Sequence, residues 1–98
     1  MKLKEYEVNM VECGENIHTI VVCKSQKRAA ELLCTDVSYI RNYGYCNEPR
    51  TQVAIDNPET VYAYCNSGTI FRERKDLLRV VMPKTELINI VRNIKSYD

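Results

Sequence analysis

Apolar and polar residues alternate near the start of the chain. Tyr6, Val8 and Met10 are apolar, and each residue between them carries a carboxylate or an amide. A repeat of two residues is typical of a β-strand with one buried face and one polar face. The pattern therefore predicts a strand over residues 4–11.

A turn and a second strand follow. Residues 14–16 read Gly-Glu-Asn, a composition that favours turns, and residues 17–24 resume with β-branched side chains. Two strands separated by so short a turn are expected to pair in antiparallel fashion. The first 24 residues are therefore predicted to form a β-hairpin.

A helix is predicted directly after the hairpin. Ser25 is suited to be its N-cap, so the helix should begin at Gln26. Apolar side chains then recur every three or four residues, as one face of a helix requires: Ala29, Leu32, Leu33, Val37 and Ile40. Gly44 can end the helix in a left-handed conformation, and the weak helix formers within residues 35–38 leave an earlier end as the alternative.

The middle of the chain is predicted to hold a long connection and a second hairpin. Residues 44–59 contain a glycine, two prolines and two asparagines, with residues 52–55 as a candidate edge strand. Residues 60–65 are rich in β-branched and aromatic side chains, and residues 69–72 resume after a turn-forming Asn-Ser-Gly sequence. These two segments are expected to pair.

The last quarter of the chain is predicted to end in a helix. Residues 75–82 fit either a helical turn or a buried strand, and Pro83 ends the segment in both cases. Thr85 is a candidate N-cap for a terminal helix that should cover the sheet. The apolar stripe of that helix comprises Leu87, Ile88, Val91 and Ile94.

Two hairpins and two amphipathic helices fit together in one α+β domain spanning residues 1–98. The expected architecture is an antiparallel sheet of four or five strands with two helices packed on one face. The opposite face is then polar and open to solvent or to a partner. The strand patterns assign four polar residues to it: Glu5, Glu7, Asn9 and Thr19.

Charge and hydropathy limit the kinds of partner that such a domain can bind. The net charge is +1, with 14 basic and 13 acidic residues among 98, so no overall field attracts nucleic acid or a membrane. The first residues lack the apolar core of a secretory signal, and no apolar stretch approaches the roughly 20 residues that cross a bilayer. We therefore expect a cytoplasmic protein that does not enter membranes.

The cysteines and the histidine are the residues that could hold a metal. No pair among the five cysteines has the close spacing of a structural zinc site, and an odd number without a secretory signal does not suit a disulfide framework. Reduced thiols that act as small apolar side chains are expected, with no metal. The single histidine, His18, lies in a strand pattern and is interpreted as a surface or cross-strand residue.

No catalytic motif is present. The sequence lacks a nucleophile elbow, a Walker-type loop and a zinc-protease helix, and its three glycines are too few for a phosphate-cradling loop of the usual kind. Acidic pairs such as Glu5 with Glu7 are interpreted as solvated faces. We therefore expect neither enzymatic activity nor a cofactor.

A basic cluster is the first candidate binding site. It follows the second predicted hairpin and combines cationic with aromatic side chains: Arg72, Arg74, Lys75 and Arg79, with Tyr62 and Tyr64. Aromatic rings stack on bases and guanidinium groups pair with phosphates, so nucleic acid or a nucleotide is one candidate partner. Glu73 and Asp76 halve the local charge, and a solvated turn is the alternative.

Tyrosines mark the second candidate binding site. The chain has seven tyrosines, one phenylalanine and no tryptophan. Three of the tyrosines gather around the predicted end of the first helix: Tyr39, Tyr43 and Tyr45. Tyrosine suits surfaces that are partly apolar and partly wet, as protein interfaces are. A protein-binding surface is therefore predicted here, and half-exposed packing is the alternative.

The N-terminal third resembles the small accessory proteins of phages and mobile elements. The likeness lies in the charged strand over residues 4–8, the turn at Gly14, the strand through residues 20–22 and the sequence of residues 25–33. The resemblance implies an inhibitor or regulator that blocks a host protein by occupying its surface, in the manner of anti-CRISPR proteins. A homodimer through edge strands or open sheet faces is compatible with either binding role.

Overall fold

A computed structural model describes residues 3–42 and 52–95. The strands are β1 (Lys4–Glu12), β2 (Glu15–Cys23), β3 (Arg41–Asn42), β4 (Tyr62–Tyr64) and β5 (Met82–Pro83). The helices are α1 (Gln26–Leu33), α2 (Gln52–Asp56), α3 (Thr69–Glu73) and α4 (Lys84–Lys95). The strands form one antiparallel sheet in the order β3-β1-β2-β4-β5. The predicted α+β class is confirmed.

The first predicted hairpin is present. β1 and β2 pair along all nine residues and end with Glu12 opposite Glu15. The two residues between the strands, Cys13 and Gly14, both have positive φ angles, of 52° and 82°. Two positive φ angles define a type I′ turn, whose twist matches that of the flanking strands. The turn therefore sets the register of the whole hairpin.

One face of the sheet is covered by α1 and α4, as predicted. Tyr6 is 2% exposed and packs with Val21 and with Ala29 and Leu33 of α1. At the other end of the same face, Leu87 of α4 packs in a second cluster with residues of β2 and β4. The remaining apolar residues of the β1 pattern are partly buried against these two clusters.

α1 begins at the predicted residue. The Ser25 hydroxyl accepts a hydrogen bond from the Arg28 amide at 3.1 Å, so Ser25 is the N-cap. The Arg28 guanidinium donates to both carboxylate oxygens of Glu59, at 2.9 and 3.3 Å, and this contact holds the pKa of Glu59 below its ordinary value of 4.5. Because the pair is exposed, it orients the segment before β4 more than it stabilises the fold.

α1 ends earlier than Gly44. Cys34 has a left-handed conformation with φ 55° and forms the C-cap. The Asp36 carboxylate then accepts from the Ser38 amide at 2.9 Å and begins a 3₁₀ turn over residues 37–39. An aspartate that caps the next turn competes with continuation of the helix, which is why the weak helix formers end it here.

The opposite face is not the open polar surface that the strand pattern predicted. Glu5 and Glu7 are 6% and 5% exposed, so their carboxylates are buried rather than solvated. Ala54 of α2 packs on this face with apolar and aromatic residues of β2 and β4: Ile20, Val22, Tyr62 and Tyr64. Thr19 lies on the first face, where its hydroxyl donates to a β1 carbonyl oxygen at 2.8 Å. Of the four residues assigned to an open face, Asn9 alone is exposed.

Two segments in the second half were predicted wrongly. Residues 52–55 belong to α2 rather than to an edge strand, and residues 69–72 belong to α3 rather than to a second hairpin. β4 pairs instead with β2 and β5. Its partners are distant in sequence, and Gly68, at φ 87°, directs the chain into α3.

The ambiguous segment before the terminal helix contains both kinds of structure. Residues Lys75–Leu77 form a 3₁₀ turn, and Met82 lies in β5. α4 begins at Lys84, immediately after Pro83, so Thr85 lies inside the helix and is not its N-cap.

Candidate functional site

A polar cluster links β1, β2 and β4 on the second face of the sheet. The Tyr64 hydroxyl donates to Glu7 Oε1 at 3.1 Å, and the Tyr64 ring stacks on the His18 ring with centroids 4.9 Å apart. His18 Nδ1 lies 3.6 Å from Glu7 Oε2, and His18 Nε2 lies 3.3 Å from the Asn66 amide nitrogen. Pairing of β2 with β4, which places His18 opposite Tyr64, assembles the cluster.

The geometry of this cluster favours a structural role over acid–base catalysis. The side chains of Glu7 and His18 are 7% and 23% exposed, and His18 Nδ1 is buried. The Asn66 amide nitrogen is a donor, so it suits the tautomer in which His18 Nε2 accepts and Nδ1 carries the proton. This contact occupies the ring nitrogen that a substrate would have to reach. The interpretation of His18 as a cross-strand residue is confirmed.

Tyr64→Phe should lower the free energy of unfolding by about 1–2 kcal/mol, because the buried Glu7 carboxylate loses a hydrogen-bond donor. Tyr62→Phe is the matched control, since Tyr62 lies on the same strand and face and is similarly buried. No described residue forms a hydrogen bond with the Tyr62 hydroxyl, so its removal should lower the free energy of unfolding by less than about 0.5 kcal/mol. Urea denaturation measures both, and equal effects would contradict the assigned role of the Tyr64 hydroxyl.

The basic residues of the first candidate site lie on the surface around α3 and the turn after it. Arg72, Lys75 and Arg79 are exposed. The Arg74 guanidinium forms two hydrogen bonds with the Asp76 carboxylate, at 3.0 and 2.9 Å, and these hold the pKa of Asp76 below its ordinary value of 3.8. The charge of Arg74 is therefore paired locally.

The two tyrosines predicted to stack on bases are not on this surface. Tyr62 and Tyr64 are 6% and 3% exposed, and their rings pack in the cluster with Ala54. A base can stack on a ring only where a face of that ring is accessible. The fold therefore does not unite these tyrosines and the basic residues in one exposed site.

The outer edge of β1 is paired over only part of its length. β3 is two residues long and pairs with Tyr6 and Glu7. On this side of β1, no strand within residues 3–42 and 52–95 pairs with residues 8–12. A stretch of sheet edge is therefore left without a described partner strand.

The direction of the backbone groups along this edge follows from the neighbouring strands. The Val22 carbonyl oxygen accepts from the Glu59 amide, so it points away from β1. Val22 is opposite Glu5, and backbone groups of alternate residues point to opposite edges of an antiparallel ladder. The N–H and C=O groups of Asn9 and Val11 therefore point outward, away from β2.

A surface cavity of about 360 Å³ lies where the paired part of this edge ends. It is lined by Val8, Asn9, Thr35, Tyr39 and Arg41. Arg41 is exposed and has no ion-pair partner among the residues that the structure describes. The cavity thus joins an open strand edge to a phenol and to a guanidinium that no described carboxylate pairs with.

One of the three tyrosines predicted for an interface lies at this cavity. Tyr39 is 70% exposed, and Val11 on the adjoining edge is 65% exposed. Tyr43 and Tyr45 lie outside the described residues. Tyr39 and the exposure of Asn9 were predicted from the sequence, whereas Arg41 was not, because its importance depends on where β3 begins.

A second cavity of about 360 Å³ is lined by Leu3, Cys23, Lys24 and Glu59. The Cys23 thiol is buried and donates to the Ser25 carbonyl oxygen at 3.4 Å. Burial raises the pKa of this thiol above its ordinary value of 9.0. A thiol that stays protonated at neutral pH is a poor nucleophile, so this cavity does not present a reactive cysteine.

Comparison with known proteins finds no matching family model, no similar curated sequence and no similar solved structure. In the described part of the chain, no group of three or more histidine, cysteine, aspartate or glutamate side chains is arranged to hold a metal ion. No helix among the same residues is both long enough and apolar enough to cross a bilayer. The open edge of β1 and the cavity beside it therefore form the candidate contact surface.

Proposed function

We propose that this chain is a non-catalytic protein-binding domain that acts by occupying the surface of a partner protein. The observation that carries the proposal is the stretch of the outer edge of β1, over residues 8–12, that has no partner strand among the described residues and lies beside a cavity lined by Tyr39 and Arg41. Unpaired backbone groups at a sheet edge are available to bind another chain. Tyrosine and arginine are the side chains enriched among the residues that dominate binding energy at protein interfaces.

Blockade of a host protein in the cytoplasm is the form of binding that we infer. The first third of the chain resembles small phage accessory proteins, which implies action by covering a surface. The polar cluster supports a role without catalysis, because the Asn66 amide contacts His18 Nε2, the ring nitrogen that a substrate would have to reach. Steric or electrostatic blockade needs only a stable fold and an accessible contact surface.

A nucleic-acid or nucleotide binder is the competing proposal, and the geometry favours it less. Arg72, Lys75 and Arg79 are exposed, but the charge of Arg74 is paired with Asp76. The tyrosines that would stack on bases are buried. The competing proposal requires that labelled oligonucleotides bind and that their affinity falls as salt rises.

Tyr39→Ala is expected to weaken the complex with the partner protein by about tenfold or more, because the substitution removes an exposed aromatic contact beside the open edge. A tagged chain recovers proteins from a host-cell lysate, and light scattering after size exclusion gives the stoichiometry of the complex. Calorimetry on the purified pair then compares the variants. Val80→Ala is the control, since Val80 is 41% exposed but lies just before β5, at the opposite edge of the sheet.

Failure to recover any protein at fixed stoichiometry would contradict the proposed function. Equal affinities of Tyr39→Ala and Val80→Ala would count against the surface assigned to it. Salt-sensitive oligonucleotide binding that is lost in Arg72→Ala and Arg79→Ala would favour the competing proposal instead.

A further inference from the structure

The open stretch of β1 has the backbone groups that strand addition requires. Asn9 and Val11 each direct one N–H donor and one C=O acceptor outward. An extended segment laid beside them satisfies both residues with main-chain hydrogen bonds, the mode in which many domains bind peptides. The side chains of Asn9 and Val11 are exposed, so they leave the edge accessible.

We propose that an extended segment of the partner protein adds to the sheet beside Asn9 and Val11 and places an acidic side chain in the cavity at Arg41. This inference rests on the proposed function and specifies how the partner is held. The backbone pairing provides the position of the segment, and the acidic side chain provides selectivity among extended segments.

The cavity presents hydrogen-bond donors to an incoming carboxylate. The side-chain amide of Asn9, the hydroxyls of Thr35 and Tyr39 and the guanidinium of Arg41 can all donate, and none of the described lining residues is acidic. Arg41 lies opposite Glu7 in the ladder, but the two Glu7 oxygens are directed toward Tyr64 and His18.

Three other arginines in the described part of the chain have carboxylate partners. Arg28 pairs with Glu59, Arg74 with Asp76, and Arg92 with Glu12. Arg41 has no such partner within the residues that the structure describes. A guanidinium that can take a carboxylate in two parallel hydrogen bonds is therefore available at the end of the open edge.

A second copy of this chain fits this edge poorly in the antiparallel register that uses the outward groups of both Asn9 and Val11. If two β1 strands paired with Asn9 opposite Val11 of the other copy, Cys13 of each turn would lie opposite Glu7 of its neighbour. That position is already taken by Arg41 of β3. An extended segment of another protein can end or turn away at the cavity, so it avoids this collision.

The test begins with a fluorescein-labelled peptide of alternating threonine and valine that carries one glutamate. It is made with the glutamate at either end, because strand addition can be parallel or antiparallel, and the control peptides carry glutamine. Fluorescence anisotropy should show the better glutamate peptide binding at least about fivefold more tightly than its glutamine control. Arg41→Gln should remove that difference while leaving the weaker binding in place.

The edge itself is tested by Asn9→Pro. Proline removes the outward N–H without removing a hydrogen bond to β2, so the hairpin should persist. Peptide affinity should fall about tenfold or more in Asn9→Pro, whereas Asn9→Ala keeps the N–H and should stay within about twofold of the wild type. Val11→Pro is the second edge variant, to be used if thermal unfolding shows that Asn9→Pro disrupts the fold.

Amide spectra provide a readout specific to strand addition. Titration with the glutamate peptide should shift the backbone amides of Asn9 and Val11 strongly. The amides of Val8 and Met10 point toward β2 and should shift much less. Shifts spread evenly over the four residues would overturn the inference.

Four further outcomes would overturn it. Two concern relative affinity: Asn9→Pro and Asn9→Ala bind the peptide equally well, or the wild type binds the glutamate and glutamine peptides equally well. The third is that the wild type binds neither peptide. The fourth is that the wild type forms a homodimer that Asn9→Pro dissociates. The proposed function fails separately. A stoichiometric complex that Tyr39→Ala weakens but Asn9→Pro leaves intact would support the function and reject strand addition.

Discussion

Gly68→Ala is expected to lower the free energy of unfolding by about 3 kcal/mol. Gly68 has φ 87° and ψ −148°, a backbone region that is almost exclusive to glycine. A Cβ at this position would also overlap Glu15 Oε2 and lie 2.7 Å from Glu15 Cδ. Glu15 is 5% exposed, so its carboxylate would have to leave a buried site. Urea denaturation measures the change.

Two comparisons separate the backbone strain from the contact with Glu15. Gly14 also has positive φ, at 82°, but nothing lies within 4 Å of a Cβ built there. Gly14→Ala should therefore cost only about 1 kcal/mol. In a Glu15→Ala background, the penalty of Gly68→Ala should fall by about 1 kcal/mol or more. Equal costs for Gly68→Ala and Gly14→Ala would show that the overlap with Glu15 is relieved without loss.

Leu87→Ala should also lower the free energy of unfolding by about 3 kcal/mol. Leu87 is fully buried and belongs to the cluster in which α4 packs with Ile17 of β2. The substitution removes apolar contact and leaves a cavity that rigid neighbours on the sheet fill poorly. The midpoint of thermal unfolding should fall by more than about 10 °C.

The control for Leu87→Ala is Ile90→Ala in the same helix. Ile90 is only partly buried, so its truncation should cost about 1 kcal/mol. A double-mutant cycle of Leu87→Ala with Ile17→Ala should show coupling of about 0.5 kcal/mol or more, because both residues belong to one packed cluster. Additive effects, or a Leu87 penalty no greater than that of Ile90, would mean that α4 does not dock on β2 as described.

The sequence predicts the elements whose signals are local. The β1 alternation, the turn before β2 and the Ser25 cap each depend on a few neighbouring residues, and each is present in the fold. The apolar stripes of α1 and α4 predict that both helices pack on the apolar face of the sheet, because each stripe needs a large apolar surface as a partner. These signals suffice for the α+β class.

The errors arise where distant segments decide the outcome. Glu5 and Glu7 have the alternation of a solvated face, yet both are buried, and the Glu7 carboxylate contacts Tyr64 and His18. Only the pairing of β2 with β4 brings those groups together, and no local pattern encodes that register. Residues 69–72 have strand-like composition, but tertiary packing places them in α3.

The candidate site was predictable only in part, for the same reason. Tyr39 was identified because tyrosines cluster near it, whereas Arg41 and Asn9 gain their significance from the point at which β3 stops pairing with β1. The length of a two-residue strand depends on the path of the chain on either side of it. Propensity and periodicity do not determine that path.

Coverage of β2 from both sides has a consequence for synthesis on the ribosome. Residues from β1 to α1 emerge before those from α2 to α4 and can make the hairpin and its first helical contact by themselves. Ile20 and Val22, however, are covered by Ala54 and by tyrosines that are translated some forty residues later. During that interval the nascent chain exposes an apolar β-surface, which makes it a substrate for chaperones until β4 has been synthesised.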